Sequence, residues 1–298
     1  MDSFNNLKKI FDNLWEGIYI LDENRKIIYW NSSAENITGF KENEVVGKSC
    51  SDNILRHIDF NGNELCIKGC PMQLVINGKD KIEAEVFLHH KAGYRILVKV
   101  QGIRLTDRET NKILAAEFFY PIIIRNSNIE NDIIKEAFFD NLTGALNRNG
   151  FEKLFFNRFR EMEMLNKKTG FIFADLDNFK KINDEYGHDV GDKILISFTQ
   201  TIKNSLRQQD LICRWGGEEF LIVVFIDRKE MLENICKRFK MLIESNFLEI
   251  NDKIIRYTAS FGATLFEKDY SIEEIIKKAD HLMYEVKKSG KNGIKIDT

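Results

Sequence analysis

The chain has 298 residues, and at about 150 residues per domain this length predicts two domains. With 43% hydrophobic and 30% charged residues, the composition is that of a globular protein and excludes a disordered or fibrous chain. Lys and Arg number 44 against 46 Asp and Glu, so the net charge is −2. No overall basic excess therefore favours binding to nucleic acid or to an anionic membrane.

No feature of the sequence indicates a membrane-spanning or secreted protein. The longest unbroken apolar run, at 220–226, is about seven residues long, whereas a spanning helix needs about 20. The first residues lack the basic and apolar regions of a secretory signal. The five cysteines are odd in number and follow no disulfide framework, which favours a reducing compartment. We therefore expect a cytoplasmic protein with neither a membrane nor a nucleic-acid partner.

The first 122 residues predict an antiparallel sheet with short helices. Apolar runs at 18–21 and 27–30, separated by a polar turn, predict a β-hairpin. Asn31 is placed to cap a helix that follows, and Gly39 marks its end. Three further strands are predicted at 82–88, 94–103 and 112–119. This order of elements is an α+β pattern.

A shift in composition near residues 121–132 separates the two halves. Pro121 and a polar run follow the last predicted strand. Apolar residues then recur at helical spacing among charged ones, namely Ile129, Ile133, Ile134, Ala137 and Phe138. We predict a linker helix at 123–139 between a first domain at 1–122 and a second at 140–298.

The second half predicts a sheet covered by helices. A continuous apolar run at 171–174 indicates a central strand buried on both faces. Runs at 211–214 and 220–226 flank a Gly-Gly turn and predict a hairpin, and one more strand is predicted at 257–265. Amphipathic helices are predicted at 150–166 (with Phe151, Leu154, Phe155, Phe159 and Met162 inward), 193–207, 228–245 and 271–288. This is an α/β sandwich.

Acidic residues follow the central strand and the hairpin turn. Gly216 and Gly217 let the backbone approach a ligand closely, and two glutamates come directly after them. Asp175 and Asp177 leave the end of the central strand. Carboxylates converging there can hold two metal ions about 3.5–4 Å apart, which activate a hydroxyl for phosphoryl displacement. Lys180 can neutralise phosphate charge. The simpler alternative is a set of solvated acids in a hairpin and a strand-end turn.

The first half resembles a PAS sensor domain over residues 1–122. The residues that carry this resemblance follow the first hairpin in order, namely Asn31, Ala34, Thr38, Gly39, Phe40, Glu44, Gly47 and Lys48. The resemblance implies a small interior pocket that holds haem, flavin or a metabolite, or a domain that only dimerises. The sequence leaves the ligand unknown.

The second half resembles the GGDEF diguanylate cyclases, nucleotide cyclases with a palm-like fold, over residues 134–298. Residues 140–148 are similar to the motif D-x-L-T-G-L-x-N-R, with alanine in place of its second leucine. Residues 175–192 match D-x-D-x-F-K-x-x-N-D-x-x-G-H-x-x-G-D throughout, and 216–220 is the GGEEF variant of the signature. Residues 279–292 are similar to the family's last segment. The fold class expected is an α+β PAS domain followed by an α/β palm-like cyclase domain.

The resemblance also implies roles for individual residues. Asp175, the backbone carbonyl of Leu176, Glu218 and Glu219 would hold two Mg²⁺ or Mn²⁺ ions. Glu218 would in addition serve as the base for the 3′-hydroxyl, and Lys180 would stabilise the transition state. The residues implied in substrate binding are Asn183 and Asp192 at the guanine edge, Phe179 and His188 lining the nucleotide, and Lys287 and Lys291 at the triphosphate.

Two of these positions bear on affinity and specificity. Lys291 replaces the commoner arginine, which keeps the charge but loses the bidentate fork, so we expect slightly weaker phosphate binding. Asp192 can accept the N1 and N2 hydrogens of guanine, whereas adenine presents an acceptor at N1. A buried polar group left unpaired discriminates strongly, so we expect a preference for GTP over ATP.

Arg207 and Asp210 lie three residues apart just before the hairpin. Such a pair is most often an ion pair on a helix surface. At this offset, however, it resembles the family's RxxD inhibitory site, where the product cyclic di-GMP binds. We therefore expect feedback inhibition by the product.

The cysteines leave alternatives open. Cys50, Cys66 and Cys70, with His57, could bind zinc or iron or sense redox state, although reduced structural cysteines are the simpler interpretation. His89 and His90 are interpreted as surface residues. Cys213 and Cys236 are expected in the core.

The combined expectation is a cyclase that condenses two GTP into cyclic di-GMP and two pyrophosphates as a homodimer. The PAS domain would regulate it through the linker helix. Two alternatives stay open: a degenerate module that binds GTP or cyclic di-GMP without turnover, and a redox or metal sensor whose second half only relays an interaction.

Overall fold

The structure is a computed structural model of the chain. It describes residues 8, 11–50, 52, 54–106, 112–122, 137–251, 253–267 and 269–297. The chain divides into two compact units, Met1–Ile123 and Ile124–Thr298, and each is treated by itself. Most of the predicted linker helix, residues 123–136, lies outside the described residues.

The first unit contains a five-stranded antiparallel sheet in the order β2-β1-β5-β4-β3. Its strands are β1 (Gly17–Leu21), β2 (Ile27–Trp30), β3 (Lys81–His89), β4 (Arg95–Thr106) and β5 (Ile113–Pro121). Its helices are α1 (Ser32–Thr38), α2 (Glu42–Val45) and α3 (Pro71–Ile76). The predicted hairpin and the three later strands are confirmed. The two shorter helices, α2 and α3, were not predicted because four to six residues carry too little periodicity.

Helix α1 begins and ends where the sequence predicts. The Asn31 side chain accepts a hydrogen bond from the backbone N–H of Ala34 and another from that of Ile18, each at 2.8 Å. It therefore caps the helix and ties it to β1. Gly39 ends the helix with a φ of 77°, a left-handed conformation that favours glycine.

The second unit contains a five-stranded sheet in the order β12-β11-β6-β8-β7. Its strands are β6 (Lys168–Leu176), β7 (Leu211–Arg214), β8 (Glu219–Ile226), β11 (Ala259–Leu265) and β12 (Ile294–Asp297). A separate hairpin is formed by β9 (Phe247–Ile250) and β10 (Lys253–Arg256). The central strand β6 runs antiparallel to both of its neighbours.

Helices cover both faces of this sheet. They are α4 (Arg148–Met164), α5 (Phe179–Tyr186), α6 (His188–Lys203), α7 (Glu230–Glu244) and α8 (Ile272–Lys288). Alternate residues of β6 and β8 enter two separate cores, one with α6 and α7 and the other with α4 and α8. The prediction of a central strand buried on both faces is confirmed.

Some details of the second unit differ from the predictions. Leu154, predicted on the inward face of its helix, is exposed, because Phe151 and Phe155 fill that face. The helix predicted at 193–207 begins earlier and ends at Lys203, and Leu206 is buried from the turn that follows. Elements α5, β9, β10 and β12 were not predicted, since they are short.

Across the parts of the chain that the structure describes, none of the helices combines the length and the apolar character needed to cross a bilayer.

Candidate active site

The tip of the β7–β8 hairpin is held by an arginine. The Arg214 guanidinium donates to the carbonyl of Gly217 at 2.8 and 3.0 Å and to both carboxylate oxygens of Asp140 at 3.1 Å. Arg148 donates to the Trp215 carbonyl at 2.7 Å and lies over the indole ring. These charge-assisted bonds fix the loop that carries the two glycines.

Strand register places the predicted metal ligands at one edge of the sheet. Asp175 at the end of β6 lies directly opposite Glu219 at the start of β8. The backbone N–H of Leu176 donates to the Glu218 carbonyl at 3.3 Å. Burial, opposed by Lys287 and supported by the charges of Glu218 and Glu219, raises the pKa of Asp175 to about 6. The fold thus brings together the four residues that the sequence assigns to metal binding.

A cation already lies against this edge. The ammonium group of Lys287, from α8, contacts Asp175 Oδ1. No group of three or more His, Cys, Asp or Glu side chains within the described ranges is spaced to hold a metal ion. The donors at the edge are nonetheless carboxylates and a backbone carbonyl, the hard oxygen ligands that Mg²⁺ and Mn²⁺ prefer. The residues therefore fit a divalent cation in the place where Lys287 now neutralises Asp175.

Asp177 does not join these acids. Its Oδ2 accepts hydrogen bonds from Thr258 Oγ1 at 2.7 Å and from the backbone N–H of Asn292 at 2.9 Å. Its Oδ1 accepts from Ser260 Oγ at 2.7 Å. The general suggestion that carboxylates converge at this strand end therefore describes Asp175 and not Asp177, whose two oxygens are both engaged by protein donors.

The predicted nucleotide residues lie on α5 and α6. Phe179 is buried at the start of α5, and Lys180 beside it is exposed. Asn183 Oδ1 is buried with no hydrogen-bond partner and lies 1.9 Å from where a Cβ on Gly191 would sit. A side chain at position 191 would therefore displace this amide from its present place. Because Asp192 directly follows Gly191 in the sequence, the Asn183 amide lies close to the backbone that carries the exposed Asp192.

The remaining predicted substrate residues lie nearby. His188 is exposed at the first position of α6. The Lys291 ammonium donates to Asn178 Oδ1 at the N-terminus of α5. Together with Lys287 on Asp175, this contact places two lysines beside the end of β6.

The predicted inhibitory residues line a surface cleft. Asp210 is only 7% exposed, and its carboxylate accepts from the backbone N–H of Phe225 at 3.0 Å and of Arg207 at 2.9 Å. Burial raises its pKa. The helix-surface ion pair is excluded, because the helix ends at Lys203 and the bond goes to the backbone of Arg207.

Sequence reasoning missed Arg238, which lines the same cleft from α7. Its guanidinium donates to the Ser205 carbonyl at 3.1 Å, while its Nε is buried without a partner. The sequence signal for its burial was its position directly before Phe239, which lies with Cys236 on the buried face of an amphipathic helix.

The three cysteines of the first unit are free thiols. Burial raises the pKa of Cys50 to about 12 and that of Cys66 to about 11, so both are protonated near neutral pH. Together with His57, they form no group with metal-binding spacing in the described part of the unit. Cys50 and Cys70 are buried in the core, as free cysteines commonly are. Cys213 and Cys236 are buried in the core as predicted.

The two histidines predicted at the surface differ, since His89 is buried and His90 is half-buried. His89 is 3% exposed, and the ring of His90 stacks on Tyr94 with centroids 4.1 Å apart. Burial lowers the pKa of His90 to about 4. The sequence also gave no warning of Glu117, which is fully buried 3.8 Å from His57.

The fold and this site define a two-domain protein: an α+β unit with an antiparallel sheet, and an α/β unit with acidic residues at one edge of its sheet. Residues 16–122 match the PAS domain family. Residues 137–293, more than half of the chain, match the family described as "Diguanylate cyclase, GGDEF domain". The chain belongs to the GGDEF family and carries an N-terminal PAS domain.

Curated relatives agree with this assignment. The chain is 28% identical over 195 residues to the diguanylate cyclase DgcS of Shewanella oneidensis, covering 64% of each chain. It is 30% identical over 157 residues to the cyclic di-GMP phosphodiesterase NbdA of Pseudomonas aeruginosa, covering 52% of this chain and 20% of that one. The chain thus spans between a fifth and two thirds of the length of these relatives.

A solved structure shows the same fold. The diguanylate cyclase SiaD of Pseudomonas aeruginosa, in complex with its activator SiaC, is 27% identical with a TM-score of 0.51. The match covers 55% of this chain and 64% of that one.

Proposed function

We propose that the chain is a diguanylate cyclase, with a PAS domain at 1–122, a linker at 123–139 and a cyclase domain at 140–298. It condenses two GTP into cyclic di-GMP and two pyrophosphates. The observation that supports this most directly is the register of β6 and β8, which sets Asp175 and Leu176 beside Glu218 and Glu219.

The metal ligands are Asp175, the Leu176 carbonyl, Glu218 and Glu219, holding two Mg²⁺ or Mn²⁺ ions. When bound, the ions supply Lewis-acid activation of the attacking hydroxyl and stabilise the leaving oxygen. Lys287, which contacts Asp175, is assigned to the triphosphate of GTP.

The other side chains bind and orient GTP. Asn183 and Asp192 take the guanine edge, and the unsatisfied Asn183 Oδ1 is an acceptor ready for a guanine N–H. Phe179 and His188 line the nucleotide. Lys180 and Lys291 neutralise phosphate charge from the exposed side of the site.

Each cyclase domain holds one GTP, so two copies of the chain must meet as a homodimer. The 3′-hydroxyl of one nucleotide attacks the α-phosphorus of the other, Glu218 takes the hydroxyl proton, and pyrophosphate leaves. The 3′-hydroxyl of the second nucleotide then attacks the α-phosphorus of the first in the same way, which releases the second pyrophosphate and closes the ring. Specific activity should therefore rise with protein concentration until the dimer is saturated, and a rate per chain independent of concentration over the monomer–dimer range would contradict this.

The full chain should convert GTP with Mg²⁺ to cyclic di-GMP, identified by chromatography with mass detection. In Glu218→Gln the rate should fall by at least about a hundredfold, the scale of a lost general base. Glu249→Gln, at an exposed position of β9, is the matched control and should retain the wild-type rate. If the wild type binds GTP but forms no product, the chain is a binding module.

We propose further that the cleft at Arg207, Asp210 and Arg238 binds the product and inhibits the enzyme. Two arginines beside a nearly buried carboxylate offer donors for phosphates and an acceptor for a guanine edge. Arg207→Ala should abolish inhibition of initial rates by micromolar added cyclic di-GMP. The exposed neighbour Gln208→Ala should leave it intact. Equal inhibition in both variants would disprove the assignment.

A further inference from the structure

The segment between α8 and β12 has an unusual backbone. Lys291 and Asn292 follow one another with φ values of 65° and 45°, after Gly290 at 125°. Residues with a Cβ rarely adopt this left-handed region, and two in a row persist only where the surroundings hold them. Such strain is a reason to ask what the segment positions.

One buried carboxylate holds this segment from below. Asp177 is 2% exposed, and its Oδ2 accepts the backbone N–H of Asn292 at 2.9 Å. Two hydroxyls, Thr258 Oγ1 and Ser260 Oγ, each donate to it at 2.7 Å and hold the carboxylate in place. The backbone N–H of Asp177 donates to the Thr258 carbonyl at 2.9 Å, so the anchor itself is fixed to the start of β11.

The residue presented by the strained segment is Lys291. Its backbone N–H donates to the Val286 carbonyl at 3.0 Å, while its ammonium reaches Asn178 at the N-terminus of α5. With the anchor next to it in sequence, Lys291 points back toward the end of β6 instead of following α8 into solvent. The Asn292 side chain adds a bond to Glu244 at 3.0 Å.

We infer that Asp177 is a positioning residue of the proposed cyclase reaction. It binds no metal; it holds the strained Lys291–Asn292 backbone so that the Lys291 ammonium meets the triphosphate of GTP. This inference rests on the proposed function and assigns to the second aspartate of the D-x-D pair a task different from that of Asp175.

An anchoring role and a metal-binding role for Asp177 predict different activities for the same variants. Asp177→Asn keeps an oxygen that accepts from both the Asn292 N–H and Thr258 Oγ1, and the Ser260 hydroxyl, which faces the other oxygen, can rotate to accept from the new amide N–H. If Asp177 is an anchor, the activity of this variant should therefore stay within about twofold of the wild type. If Asp177 were a metal ligand, loss of its carboxylate charge should lower the activity about a hundredfold or more. Asp177→Ala removes the anchor in either case.

The experiment measures kcat and KM for GTP with the full chain, and the Kd of GTP with Ca²⁺ by calorimetry. Asp177→Ala should raise KM and Kd about tenfold with little change in kcat, since a misplaced binding group weakens positioning. In a Lys291→Ala background the same substitution should add nothing, because both changes remove one interaction. Thr258→Val, which removes a single donor to Asp177, is a milder second variant for which we expect a smaller effect of the same kind.

Three results would overturn the inference. The first is an Asp177→Asn variant as inactive as Asp177→Ala. The second is a fall in kcat at unchanged KM and Kd. The third is a full effect of Asp177→Ala or Thr258→Val when Lys291 is already absent. Because the Kd of GTP is measured without turnover, a chain that forms no product would refute the proposed function while still testing the anchor.

Discussion

The two units of the chain differ in where their buried, unsatisfied polar atoms lie. In the cyclase unit, Asn183 Oδ1, Asn292 Oδ1 and Arg238 Nε lie at or beside sites assigned to nucleotides, while Thr199 Oγ1 and Asn246 Oδ1 are buried away from them. In the PAS unit, the carboxylate of Glu117 and Nε2 of His57 lie 3.8 Å apart in the core, too far for a hydrogen bond between them, and Tyr19 stabilises the carboxylate. Buried polar groups are almost always paired, so each exception needs an explanation.

From this difference we expect substitutions in the cyclase unit to change activity, and changes of pH to alter the stability of the PAS unit. Most charges assigned to catalysis in the cyclase unit lie at strand and helix ends, where substitution alters activity more than folding. Glu117 and His57 of the PAS unit are titratable and enclosed, so its stability depends on pH. Each prediction below tests one side of this contrast.

The largest effect is expected at Lys180. Lys180→Ala should lower the rate of cyclic di-GMP formation by about a hundredfold or more, because it removes a cation that faces developing phosphate charge. Thermal unfolding should be unchanged, since the side chain is exposed on α5. Lys181→Ala, the adjacent and equally exposed lysine, is the control and should behave as the wild type. Equal losses in both variants would point to general electrostatics instead of a specific contact.

The next effect concerns Glu117 and stability. Burial raises the pKa of Glu117 to about 8, well above the ordinary value of about 4.5, so the folded unit retains a proton that the unfolded chain releases. The free energy of unfolding should therefore fall as pH rises from about 4.5 to 8, by an amount on the order of a few kcal/mol. Urea unfolding followed by tryptophan fluorescence at several pH values measures this slope.

Glu117→Gln should flatten that slope, because the amide does not titrate. Glu85→Gln, exposed on β3, should leave the slope unchanged. His57 acts in the opposite direction: burial lowers its pKa to about 3, so its contribution to stability is lost as pH falls below about 6.5. A Glu117→Gln variant that keeps the full alkaline decline would break the contrast between the units.

The smallest effect is expected at the hairpin glycines. A Cβ at Gly217 would meet no atom within 4 Å, so Gly217→Ala should change stability by less than about 0.5 kcal/mol. It should still raise KM for GTP several-fold, since the backbone there approaches the ligand. At Gly216 a Cβ would lie 2.5 Å from Glu219 Oε2, so Gly216→Ala should also lower the affinity for Mg²⁺. If Gly217→Ala leaves the KM for GTP unchanged, the nucleotide does not bind at the tip of the β7–β8 hairpin.

Sequence and structure agree best where chemistry is carried by adjacent residues. Asp175, Glu218 and Glu219 were predicted to meet because strand ends and a hairpin turn are legible from local patterns, and the β6–β8 register brings them together. Glu117 and Arg238 were not predicted, since each is one charged residue in an apolar element and its burial depends on long-range packing. Motif spacing alone could not distinguish the role of Asp177 from that of Asp175, because the partners of Asp177 lie about 80 to 115 residues away in the sequence.

Arg207 and Asp210, two of the three residues of the inhibitory cleft, contribute differently to the fold. Asp210 joins the turn after α6 to the far end of β8 through two backbone N–H groups, whereas the Arg207 side chain is exposed. Under selection for escape from feedback, surviving lineages should therefore lose the arginine far more often than the aspartate. Because Asp210 serves both folding and regulation, its retention in a descendant would be no sign that the descendant still responds to its product.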